Sequence, residues 1–77
     1  MNQLMHRITT HPDIMLGKPT IRGLRITVEQ LLKALSAGVS TDDLLEDYPE
    51  LEREDLQAIF AFAAELVSET RLFPVAA

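Results

Sequence analysis

Gly17-Lys18-Pro19-Thr20-Ile21-Arg22-Gly23-Leu24-Arg25-Ile26-Thr27-Val28-Glu29-Gln30 is the stretch on which the chain turns from extended to helical character. Pro19 fixes one backbone angle and has no N–H, while Gly23 can enter a left-handed conformation that a side chain resists. The two together predict a tight turn. Thr20, Ile21, Ile26 and Val28 are β-branched, so the segments on either side of Gly23 favour short strands. Lys18, Arg22 and Arg25 place three positive charges on that turn. Thr27 stands three residues before Gln30, the spacing of a capping box, so a helix begins there.

Downstream, the pattern is helical. Val28, Leu31, Leu32 and Leu35 recur at i, i+3, i+4 and i+7 and predict a first helix over residues 28–37, stopped by Gly38. Ser40 precedes Asp43 by three, and Asp42 and Asp43 sit where a helix dipole favours negative charge, giving a short second helix over 41–47 that Pro49 ends. Leu56, Ile59, Phe60, Ala63, Leu66 and Val67 recur along a third, longer helix over 53–68, with Phe62 off that stripe as a contact for another subunit or partner. Residues 70–77, with Arg71, Leu72 and Phe73 at their head, are apolar without period and read as a C-terminal arm.

Upstream, residues 5–10 alternate weakly and predict a strand, broken at His11-Pro12-Asp13. Ile14, Met15 and Leu16 form a small apolar cluster before the turn, and Thr20–Arg22 or Arg25–Ile26 can pair with the first strand. Residues 5–26 therefore form a β-ribbon and turn. A lone ribbon is marginally stable, so it must pack on the helices or pair with another subunit. The expected fold is mainly α: a three-helix, helix-turn-helix bundle with a short N-terminal β-ribbon, in one domain spanning 1–77.

The net charge of −5 speaks against a nucleic-acid binder, but it is unevenly spread. Residues 1–33 balance to +3 and residues 34–77 to −8, a dipole able to orient one molecule against another. The chain has no cysteine, which removes disulfides and thiolate metal sites and fits a cytoplasmic protein. No apolar run spans a bilayer, and the N-terminal residues lack the layout of a signal peptide.

These residues resemble domain-of-unknown-function family 433 over about residues 7–67. The likeness rests on His11-Pro12-Asp13-Ile14, on the stretch from Gly17 to Ile26, on Ala37-Gly38-Val39-Ser40, on Leu44-Leu45-Glu46-Asp47-Tyr48-Pro49-Glu50-Leu51 and on Glu54-Asp55-Leu56. The resemblance implies a homeodomain-like bundle and gene pairs in which such a domain is antitoxin to a PIN-like ribonuclease. Leu24 departs from the family's usual threonine, and Glu52 from its usual Ser or Thr helix cap.

Candidate sites follow. The Gly17-Lys18-Pro19-Thr20 run fails as a phosphate loop, because Pro12 stands where its first glycine belongs and Pro19 where its Ser or Thr belongs. His6, His11 and Asp13 lack a third ligand at metal-binding spacing. No nucleophile and base can be paired, so neither an enzyme nor a cofactor is expected. Lys18, Arg22, Arg25 and Arg53 are the candidates for nucleic acid. Phe62, Arg71, Leu72 and Phe73 are those for a protein partner, Arg71 as a guanidinium able to enter a ribonuclease's carboxylate cluster. For Arg22 and Arg25 the alternative is pairing with acids such as Glu29 or Glu46. The function expected is a non-enzymatic, homodimeric antitoxin-type regulator that binds a PIN-like ribonuclease, with operator DNA as a second ligand. Its rival is a dimeric protein-interaction module that leaves nucleic acid alone.

Overall fold

The computed structural model describes residues 3–69, with the side chain of Glu69 left aside. The C-terminal arm expected at residues 70–77, with Arg71, Leu72 and Phe73, lies outside the described residues. Strands β1 (Ile8–Thr9) and β2 (Thr20–Ile21) precede helices α1 (Val28–Ser36), α2 (Thr41–Asp47) and α3 (Arg53–Glu69). Three helices with a two-stranded N-terminal ribbon are what the periodicity anticipates. The N-terminal segment differs from the expectation, because Gln3–Arg7 winds into a 3-10 turn and only Ile8–Thr9 of residues 5–10 is strand.

Pairing is antiparallel, with Ile8 opposite Ile21 and Thr9 opposite Thr20. The chain then reverses at Ile21–Leu24, where the Leu24 N–H reaches the Ile21 carbonyl at 2.7 Å. Both central residues have positive φ, Arg22 at 47° and Gly23 at 75°, the sense of a type I′ turn. On the far side the Ile21 N–H donates to the Ile26 carbonyl and the Val28 N–H to the Pro19 carbonyl, each at 3.0 Å. The returning segment therefore extends the ribbon and feeds directly into α1.

Helix ends follow the capping chemistry. Thr27 Oγ1 accepts from the Gln30 N–H at 3.0 Å, and Gln30 Oε1 accepts from the Thr27 N–H at 3.2 Å, completing the box. At the other end Gly38 N–H bonds to the Leu35 carbonyl and Val39 N–H to the Ala34 carbonyl, a Schellman stop with Gly38 at φ 98°. Ser40 Oγ caps α2 by accepting from the Asp43 N–H.

Ile21, Ile26, Val28, Leu31, Leu44, Leu51, Leu56 and Ile59 form the core, drawn from β2, the three helices and the segments between them, with Ile8 of β1 packed against it. Ribbon and helices thus share one interior. The buried face of α3 is rotated from the expected stripe. Asp55, Leu56, Ala58 and Ile59 are buried and Phe62 packs against the core, while Phe60, Leu66 and Val67 are each about half exposed. Phe62 is therefore a core neighbour and Phe60 the outward aromatic, because Ala58 and Asp55 lie where α3 meets the rest of the molecule. Among the described residues, no helix is long and apolar enough to cross a membrane.

Candidate functional site

Asp55 is the third residue of α3 and its side chain is fully buried, at 0% exposure. Three chain segments converge on it. Arg22 donates Nε to both carboxylate oxygens, at 3.0 and 3.2 Å, and Nη2 to Oδ2 at 2.8 Å. Arg7 donates Nη1 to Oδ1 at 2.9 Å, and the Glu52 N–H donates to Oδ2 at 2.9 Å. The last contact is half of a capping box, with Asp55 satisfying a free N–H at the start of α3. Glu52, which replaces the usual cap, turns its own carboxylate to Arg7 at 2.7 Å. Arg22 also reaches the Glu50 carbonyl at 2.7 Å, and its backbone N–H donates to the Arg7 carbonyl at 2.8 Å.

Burial raises the cost of charging Asp55, but the bonds from Arg22, from the Glu52 N–H and from Arg7 outweigh it and hold the carboxyl below its ordinary value. Asp55 is thus an anion at neutral pH. A carboxylate with neither bond nor countercharge could not be held there. The pair also explains why Arg22, a residue with a Cβ, tolerates φ 47°: the left-handed turn aims its side chain at α3.

The other candidates separate. Lys18 binds Glu29 at 2.9 Å, and Lys33 binds the other oxygen of Glu29 at 3.1 Å. Bonds from Lys18 and then Lys33 lower the Glu29 pKa. Arg53 meets Asp42 at 3.1 Å across the helix ends. Arg22 pairs with an acid of its own domain, but with Asp55 and not with Glu29 or Glu46. Arg25 is exposed, and among the described residues it alone of the Lys and Arg side chains has no ion pair. Lys18, Arg22, Arg25 and Arg53 therefore do not form one open basic surface. His11 and Asp13 are exposed, His6 bonds to the Gln3 carbonyl, and among the described residues no group of three or more His, Cys, Asp or Glu could hold a metal.

Two surface features go beyond the sequence pattern. The apolar cluster of Ile14, Met15 and Leu16 does not close on itself. Met15, Leu16 and Gly17 run through a left-handed turn at φ 50°, 59° and 79°, and Leu16 stands 93% exposed. Beside it, across the Glu29–Lys33 edge of α1, lies an apolar groove of about 430 Å³ lined by Pro19, Val28, Leu32, Phe62 and Leu66.

The family model described as "Protein of unknown function (DUF433)" matches residues 8–63. The chain belongs to the DUF433 family. The DUF433 match runs from β1 into the middle of α3, encloses Arg22, Glu52 and Asp55, and begins one residue after Arg7. A relative is the uncharacterized protein y4eO of Sinorhizobium fredii, 35% identical over 68 residues that cover 86% of this chain and 31% of that protein. The chain thus spans about a third of the length of the curated relative it matches. No solved structure matches.

Sequence inspection missed Asp55 because acids in the first turn of a helix are ordinarily solvated. The spacing Glu52-x-x-Asp55 was the available signal. Nothing local could connect it to Arg7 and Arg22, which lie 48 and 33 residues away.

Proposed function

We propose that this DUF433 domain is a non-enzymatic regulator that acts by binding protein: a homodimeric antitoxin-type domain whose partner is a PIN-like ribonuclease. The observation that carries protein binding over nucleic-acid binding is the fate of the cations. Among the described residues Arg7, Lys18, Arg22, Lys33 and Arg53 are each held by an acid of the same domain. A duplex would have to break those pairs to gain phosphate contacts, and α3 would approach it with Glu52 and Glu54 exposed at its start. Meanwhile Leu16, Phe60, Leu66 and Val67 leave apolar surface unoccupied.

The ribonuclease is drawn from the family resemblance, and the sequence supplies a chemistry for it. A guanidinium can occupy the metal site of a carboxylate cluster. Arg71 heads an apolar segment, Leu72-Phe73-Pro74-Val75, suited to dock beside such a site. Arg22, committed to Asp55, is the weaker candidate. Co-expression with a PIN-like nuclease encoded beside this gene tests the proposal. The expected result is a co-purifying complex with suppressed ribonuclease activity, released on deletion of residues 71–77. A nuclease left active and unbound by stoichiometric protein would refute it. The rival, a dimeric module without nucleic-acid binding, is favoured by the same paired cations and would survive that result.

A further inference from the structure

Leu16 is nearly fully exposed, and a left-handed turn holds it there. For residues with a Cβ this conformation is costly, and two successive residues other than glycine, Met15 and Leu16, adopt it. Burial of Leu16 within its own domain does not offset that cost. The hydrogen bonds from Gly17 N–H to the Ile14 carbonyl and from Lys18 N–H to the Met15 carbonyl fix the turn, so Leu16 projects from a defined base. Across the Glu29–Lys33 edge, the groove walled by Val28, Leu32, Phe62 and Leu66 has a volume of about 430 Å³, more than a leucine side chain fills.

We propose that the occupant of this groove is Leu16 of a second copy of this chain, which makes the face between them the self-association surface; the inference rests on the homodimer reading above. Projection and groove flank one ridge, because Glu29 and Lys33 line both the hollow that Leu16 borders and the groove. A two-fold axis lying in that face, along the ridge, carries each Leu16 over the other copy's groove, so the contact is reciprocal and closes at two. Two leucine insertions flanking a narrow ridge make an interface no larger than the roughly 1,000 Å² that a specific contact needs, so the dimer is weak. Each copy also brings Lys18, Glu29 and Lys33 to the axis, a local charge of +1 that repels its equivalent.

Sedimentation equilibrium of the whole chain tests this. The expected result is reversible dimerisation that tightens as salt rises, and a loss of about tenfold or more in association for Leu16→Asn. Asparagine tolerates the left-handed turn, so this variant should melt no lower than the wild type. Because the chain has no cysteine, Leu16→Cys and Leu66→Cys chains can be mixed and oxidised. The mixed disulfide should predominate over either homodisulfide. A dimer that persists in Leu16→Asn, or that loosens with salt, would overturn the assignment of the surface while leaving the homodimer in place. A wild-type monomer at all concentrations up to the millimolar range would overturn both.

Discussion

Replacing Asp55 by asparagine removes one charge and almost no volume, which makes it the sharpest probe of the three-segment junction. Loss of one partner from a buried ion pair costs about 3–5 kcal/mol when the remaining charge is sealed in. Here the remaining charges are less confined, since the Arg7 and Arg22 side chains are 20% and 34% exposed and keep Glu52 and the Glu50 carbonyl as acceptors. Asparagine also preserves one oxygen for the Glu52 N–H. We therefore expect a loss of about 2–3 kcal/mol, which in a domain of this size lowers Tm by roughly 10–20 °C. Thermal denaturation followed by circular dichroism reads this directly. Since the carboxylate is fully buried, the difference between variant and wild type should persist in half-molar salt. A variant melting within about 3 °C of the wild type would refute the claim that this junction holds the ribbon to α3.

Further outcomes can be checked. The Asp55 carboxyl is depressed in the folded state from an ordinary 3.8, so its contribution is complete above that value and is lost as pH falls through the folded pKa; acid titration of stability should show a step below about pH 4 that Asp55→Asn lacks. Arg22→Gly and Arg22→Ala both lose the pair, but glycine also relieves the positive φ, so urea denaturation should find the glycine variant about 1 kcal/mol the more stable. Thr27→Ala removes the α1 cap and should cost about 1 kcal/mol by the same measurement. With only Arg25 outside an ion pair among the described Lys and Arg residues, fluorescence anisotropy at physiological salt should give a Kd for random duplex DNA weaker than about 100 µM. Tight binding abolished by Arg25→Ala would reverse that conclusion.

The helices were legible because their signals are local. Thr27 with Gln30, Ser40 with Asp43, and Gly38 each specify an end within four residues, and the structure uses all three as the spacing implies. The hairpin at Gly23 was legible for the same reason. What was not legible required knowing which distant segments meet. The weak alternation of residues 5–10 reads as one strand, whereas Gln3–Arg7 coils and lies against α3, a contact with a segment far along the chain. The face of α3 was misjudged because apolar periodicity alone cannot register that a carboxylate, Asp55, occupies the centre of the buried side. Leu16 was placed in a cluster since nothing in Ile14-Met15-Leu16 announces a left-handed backbone.

The Asp55 junction also dictates an order of events in folding. Its members are separated by 33 and 48 residues, whereas each helix closes on bonds four residues apart. Helical turns form in well under a microsecond to microseconds, so α3 presents its carboxylate before the ribbon can reach it. Until Arg22 and Arg7 arrive, that carboxylate must remain hydrated, and its hydration keeps the start of α3 from closing over the core. Docking of the ribbon is then the event that replaces that water with the two guanidinium groups. During synthesis, an N-terminal ribbon already outside the ribosome has to wait for residue 55, and for Leu56 and Ile59 of the core just behind it, before the junction can close.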